Sequence, residues 1–108
     1  MSVVLTVAPT GPIATRADNP ALPTQPQEIA EAVHRAYLAG AAVAHLHFRD
    51  EDDRPTADLD IARHTIELIT QRCPILIQIS TGVGLGVAFE ERSALVELRP
   101  RMATLNPC

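Results

Sequence analysis

An α/β fold built on a parallel sheet is what this sequence predicts, and three observations carry the prediction. Short, β-branched apolar runs alternate with segments of helical period. Most of the connections between them are short. Polar residues, two histidines among them, recur where each apolar run ends. The resulting order, β-α-β-α-β-α-β, calls for like-directed strands joined by right-handed crossovers. A doubly wound sheet and a portion of a (β/α)8 barrel both satisfy it. A complete barrel takes about 250 residues, so on the barrel reading these 108 residues are roughly the first half: strands one to four with three helices, in one domain spanning 1–108.

The first strand is Val3-Val4-Leu5-Thr6-Val7-Ala8, closed by Pro9-Thr10-Gly11-Pro12. From Pro12 to Pro26 the chain has Pro12, Pro20, Pro23 and Pro26 and no apolar period. It is therefore a long loop, a place where function concentrates. Thr24 with Gln27 reads as a capping pair for a first helix from Pro26 to Leu38, with Ile29, Val33, Ala36 and Tyr37 on one face and Gly40 as the stop. Ala41 to Phe48 is an apolar run holding His45 and His47, and forms the second strand.

Arg49 to Pro55 reads as a turn, and a second helix runs from Asp58 to about Arg72 on the spacing of Ile61, Thr65, Leu68 and Ile69. Ile75 to Ser80 is a third strand. The loop bearing Gly82, Gly84 and Gly86 leads to a third helix over Phe89 to Leu98, ended by Pro100, and Met102 to Leu105 begins a fourth strand. His34 and His64 fall within the helices and read as surface or packing residues.

Composition excludes several classes of function. The chain is 46% hydrophobic and 20% charged, as in globular proteins. A net charge of -4 without a run of Lys or Arg argues against nucleic acid, and 3% aromatic residues leave few stacking platforms. No apolar stretch approaches the roughly 18 to 20 residues of a membrane helix, and Met1 to Ala8 lacks a basic leader, so a cytoplasmic protein without membrane contact is expected. Cys73 and Cys108 form no metal-binding or disulfide pattern and read as free thiols.

The chemistry concentrates at the strand ends. His45 and His47 stand two apart, so on a strand both imidazoles leave the same face and can close on one ion. Their nitrogens suit zinc, whose catalytic sites take three protein ligands and leave one position open. A third ligand has to come from elsewhere. The alternative is a pair of ordinary strand histidines. Arg49 and Asp50 either orient a ligand or form a solvated turn.

Ser80 and Thr81, with Gly82 behind them, suit a carboxylate, and the alternative is a glycine-rich loop with no ligand. Gly82, Gly84 and Gly86 do not make a dinucleotide fingerprint, because Val87 stands where its third glycine belongs. Together Thr10, His45 with His47, Ser80, and Thr104 with Asn106 suggest one shared site at four successive strand ends.

These segments, Thr6 to Gly11, Ala21 to Ala30, His45-Leu46-His47-Phe48-Arg49-Asp50, Gln78 to Gly82 and Met102 to Asn106, resemble in order the motifs of the beta-keto acid cleavage enzymes. The resemblance covers essentially the whole chain. It implies a zinc-dependent (β/α)8 barrel that condenses a beta-keto acid with acetyl-CoA to give acetoacetate and a new CoA thioester, and a homo-oligomer at full length. It implies that His45 and His47 bind zinc with a glutamate from later in the family's chain. Ser80, Thr104 and Asn106 then surround the substrate carboxylate, beside the Thr81 and Gly82 already read as substrate contacts, while an aspartate assisted by an arginine generates the carbanion. Neither these two residues nor the glutamate has a counterpart here, so no catalytic residue is assigned.

The sequence departs from the pattern at Ile13, where many members carry a glutamate, and at Pro107-Cys108, where relatives continue. A truncated and inactive piece is accordingly one expectation. Another is a zinc hydrolase of amidohydrolase type, in which a comparable His-x-His pair usually lies on the first strand rather than the second.

Overall fold

The computed structural model describes residues 2–84 and 86–105. Strand β1 is Thr6–Val7, shorter than the apolar run suggests, because Val3, Val4 and Leu5 lie exposed ahead of the ladder. Helix α1 spans Pro26–Leu38 as its period requires, and buries Ile29, Ala30 and Val33. Its cap differs from the expected Thr24–Gln27 pair. Gln25 is the N-cap, and the Glu28 carboxylate, one turn in, accepts the Gln25 N–H at 3.1 Å. Thr24 is buried instead, its hydroxyl donating to Asp53 Oδ1 at 2.6 Å. Gly40 ends the helix at φ +115°, a conformation a side chain disfavours.

Strand β2 is Val43–Leu46 and stops one residue before His47. The chain then forms a small hairpin absent from the sequence reading: β3, Phe48–Arg49, pairs antiparallel with β4, Pro55–Thr56. Each arm is too short for periodicity to reveal. Its turn is held by the Asp50 side chain, which accepts the N–H groups of Asp52 and Arg54 at 2.9 Å, and by Asp53 in the left-handed region at φ 63°.

Helix α2 is Leu59–Thr70, capped by Asp58, whose carboxylate accepts the N–H of Asp60 and Ile61 at 2.9 and 3.1 Å. Strand β5 is Leu76–Ile79. The third predicted helix divides into α3, Phe89–Ala94, and a 3-10 turn over Leu95–Leu98. Strand β6 is Met102–Ala103.

The four principal strands form one parallel sheet in the order β1-β2-β5-β6, with His45 beside Gln78 and Gln78 beside Met102. Spatial order follows chain order without a reversal. The described strands thus lack the reversal of order that marks a doubly wound sheet.

Alternation along the strands separates the two faces. Ala44, Leu46, Ile77 and Ile79 join Ile29, Val33, Ala62, Ile69 and Leu95 in one buried core between sheet and helices. Each fully buried Leu or Ile there contributes about 1.5–3 kcal/mol. Val43, His45, Leu76, Gln78 and Met102 share the other face, where Leu76 and Met102 remain 43% exposed. No helix among the described residues is long and apolar enough to cross a membrane.

Candidate functional site

The strand ends expected to carry chemistry converge at one edge of the sheet. His45 lies within the ladder, and His47 follows directly after it. The two imidazoles meet edge to face, their ring centroids 5.2 Å apart with an interplanar angle of 69°. Their closeness is explained by the strand alternation, which turns residues 45 and 47 to one side even though the ladder ends between them.

His45 Nδ1 lies 2.7 Å from Gln78 Oε1. Partial burial holds the His47 ring well below its ordinary value, at a pKa of about 4, with His45 and the Arg49 guanidinium adding to the effect. In the metal-free protein the ring is therefore neutral at pH 7, with a free lone pair, which is the state a metal ligand requires.

The pair fits the zinc expectation as two nitrogen donors. Among the described residues no third His, Cys, Asp or Glu completes a cluster.

Beside the histidines, Ser80 and Thr81 are buried and Thr104 is half-buried. The Ser80 N–H donates to Leu46 O at 3.0 Å, carrying the β2–β5 pairing one step further and setting Ser80 next to His47. Thr81 N–H donates to Thr104 Oγ1 at 3.3 Å, and Thr104 Oγ1 lies 3.5 Å from Ser80 Oγ, to which it donates. The Thr81 hydroxyl donates to Thr104 O at 2.6 Å. Gly82 N–H donates to Ser80 Oγ at 3.1 Å.

The amides of Thr81 and Gly82 thus donate to hydroxyl oxygens. Ser80 Oγ accepts both neighbours and keeps its own proton to donate. Ser80, Thr81, Gly82 and Thr104 stand together as expected, whereas Asn106 lies outside the described residues. Thr10, at the end of β1, is buried.

Arg49 is not part of a solvated turn. Only 2% exposed, it donates to Gly11 O from Nε and Nη2 at 3.2 and 2.6 Å, to Ala14 O at 2.8 Å and to Asp53 O at 2.8 Å. A second cluster completes the clamp on the proline-rich loop. Arg16 pairs with Glu28 and with Asp53, while Gln25 Nε2 donates to Asp53 Oδ1 at 2.7 Å and to Asp50 O at 3.0 Å. The sequence reading marked the loop but not Arg16, Asp53 or Glu28, which act across 37 and 12 positions. It also passed over Gln78, which counting by two back from Ser80 places on the site face.

With this geometry in place, comparison with known proteins decides the lineage: the beta-keto acid cleavage enzyme family matches residues 2–108. The chain belongs to that family. It is 43% identical over 105 residues to the 3-keto-5-aminohexanoate cleavage enzyme of Fusobacterium nucleatum, covering 96% of this chain and 39% of that protein. It is 39% identical over 103 residues to the 3-oxoadipate:acetyl-CoA acetyltransferase of Cupriavidus necator, covering 94% and 36%. A 3,5-dioxohexanoate:acetyl-CoA acetone transferase of Paraburkholderia graminis is 38% identical over 106 residues, covering 96% and 34%. The chain thus spans little more than a third of the length of these relatives.

Proposed function

We propose that this chain supplies the first four strands of a (β/α)8 barrel that carries out acyl transfer between a beta-keto acid and acetyl-CoA. His45 and His47 are two of its three zinc ligands, and the Ser80 hydroxyl, polarised by that of Thr104, is its carboxylate donor. The observation that carries the reading is the adjacency of two donor types: a closely spaced imidazole pair at the end of β2 and, beside it past the end of β5, a hydroxyl relay ending in a Ser80 proton that has no acceptor among the described residues. A beta-keto acid presents the matching pair of groups, a ketone oxygen and a carboxylate. The singly wound strand order and the partly exposed face that bears Leu76, Met102, His45 and Gln78 support a barrel. The names of the relatives support the reaction class.

Bound zinc supplies a Lewis acid for the ketone oxygen when the carbon next to it is deprotonated. The remaining contributions of this chain are positional. Ser80 donates to the substrate carboxylate, and its hydroxyl is polarised by the run from the Thr81 amide through the Thr104 hydroxyl. Arg49 and Arg16 fix the loop over residues 11–24 against the hairpin β3–β4. Among the described residues none is assigned as the base that takes the proton or as the third ligand.

Acetoacetate formation tests the proposal. A full-length protein containing this chain should release acetoacetate from a beta-keto acid only when acetyl-CoA is present. Release of product by water alone would replace the transferase reading with the hydrolase one.

A further inference from the structure

Gln78 has a single side-chain hydrogen bond among the described residues, to His45 Nδ1 at 2.7 Å. The two are register partners on neighbouring parallel strands, β2 and β5, so the backbone ladder itself holds the amide against the ring. On its other side Gln78 is paired with Met102, which offers no hydrogen-bond partner of comparable strength. An amide oxygen only accepts, so the contact requires Nδ1 to carry the proton. Nε2 is then the nitrogen with the lone pair.

From this contact we infer that Gln78 is a positioning residue: it holds His45 in the Nδ1–H tautomer with its ring fixed, so that Nε2 is offered as the ligand atom. The inference rests on the zinc reading for its purpose, and on the Gln78–His45 hydrogen bond for its geometry. A ring freed of this partner samples both tautomers and rotates about its terminal torsion. Loss of a group that orients a ligand in this way typically lowers metal affinity 10–100-fold. A glutamate in place of Gln78 retains an accepting oxygen at the same reach. An apolar leucine does not.

Nitrogen-resolved NMR of the histidine rings in the metal-free full chain, together with zinc titration against a competing chelator, tests the inference. The wild-type protein should show His45 with a protonated Nδ1 and an unprotonated Nε2. Gln78→Leu should yield a tautomer mixture at His45 and a 10–100-fold weaker zinc affinity, and Gln78→Glu should restore the Nδ1–H form. A wild-type His45 carrying its proton on Nε2, or a Gln78→Leu protein with unchanged tautomer, would overturn the inference. Absence of zinc binding by a wild-type protein that still shows the Nδ1–H form would instead count against the metal reading and leave the orienting role of Gln78 standing.

Discussion

Arg49 donates to the carbonyl of Gly11 from two of its nitrogens, at 2.6 and 3.2 Å, and so ties the loop after β1 to the strand that follows the histidine pair. With Ala14 O and Asp53 O also accepting from it, this buried guanidinium satisfies three backbone carbonyls from two loops. A planar fork does this, and an ammonium does not. Arg49→Lys should destabilise the protein by about 2 kcal/mol, within the range for hydrogen bonds to charged groups, and should open residues 11–24 to proteolysis before global unfolding. A urea midpoint and a cleavage pattern that match the wild type would count against the clamp.

On the proposed reading, Ser80 is the point at which the hydroxyl relay meets the substrate carboxylate. Removing its oxygen withdraws one charge-assisted hydrogen bond from a carboxylate, about 1.5–3 kcal/mol, so Ser80→Ala should raise KM for the beta-keto acid by roughly 10- to 100-fold. KM for acetyl-CoA should be less affected. Thr104→Val should act in the same direction but more weakly, because Thr104 reaches the substrate only by polarising Ser80. Steady-state kinetics with each substrate varied separately provide the comparison.

The depressed value of His47 has a definite consequence for stability. Its folded-state pKa of about 4 lies below the unfolded value of 6.5, so between those limits the unfolded chain binds the proton first. Stability of the metal-free protein should therefore fall as the pH drops from 6.5 towards 4, and His47→Asn should flatten that slope. Direct titration of the His47 ring by NMR should give a midpoint near 4, and a midpoint near 6.5 would show that the ring is not desolvated.

The carboxylates around Arg16 add a separate acid limb. Hydrogen bonds from Thr24, Gln25 and Arg16 lower Asp53, and the hydrogen bond from Arg16 is the largest influence lowering Glu28. Depressed folded values mean that this contribution is present in full above the unfolded values of 3.8 and 4.5, and is lost as the pH falls below them through the folded ones. Arg16→Gln should make acid unfolding less steep in that range, as read by circular dichroism against pH.

Much of this arrangement is legible in the sequence because it is governed by period. The 3.6-residue spacing of Ile29 and Val33 marks α1 over its full length, and alternation through Ala44, His45 and Leu46 turns the histidine to the face opposite the core. The family motifs are local too, so the lineage could be read from short segments. What escapes is carried by distant pairs and by elements without a period. The hairpin β3–β4 has two residues per arm, and the contact of Arg49 with Gly11 spans 38 positions. The cap of α1 shifts from Thr24 to Gln25 because the Thr24 hydroxyl is engaged by Asp53, which lies 29 positions away. Gln78 reads as an unremarkable strand residue until the register sets it beside His45.

The central claim, that His45 and His47 hold a catalytic zinc, is tested most directly by elemental analysis of a full-length protein containing this chain, purified as wild type, His45→Ala and His47→Ala. The wild type should hold one zinc per chain, and that zinc and acetyl-CoA-dependent acetoacetate formation should be lost together in both variants. Unchanged zinc content in either variant would contradict it.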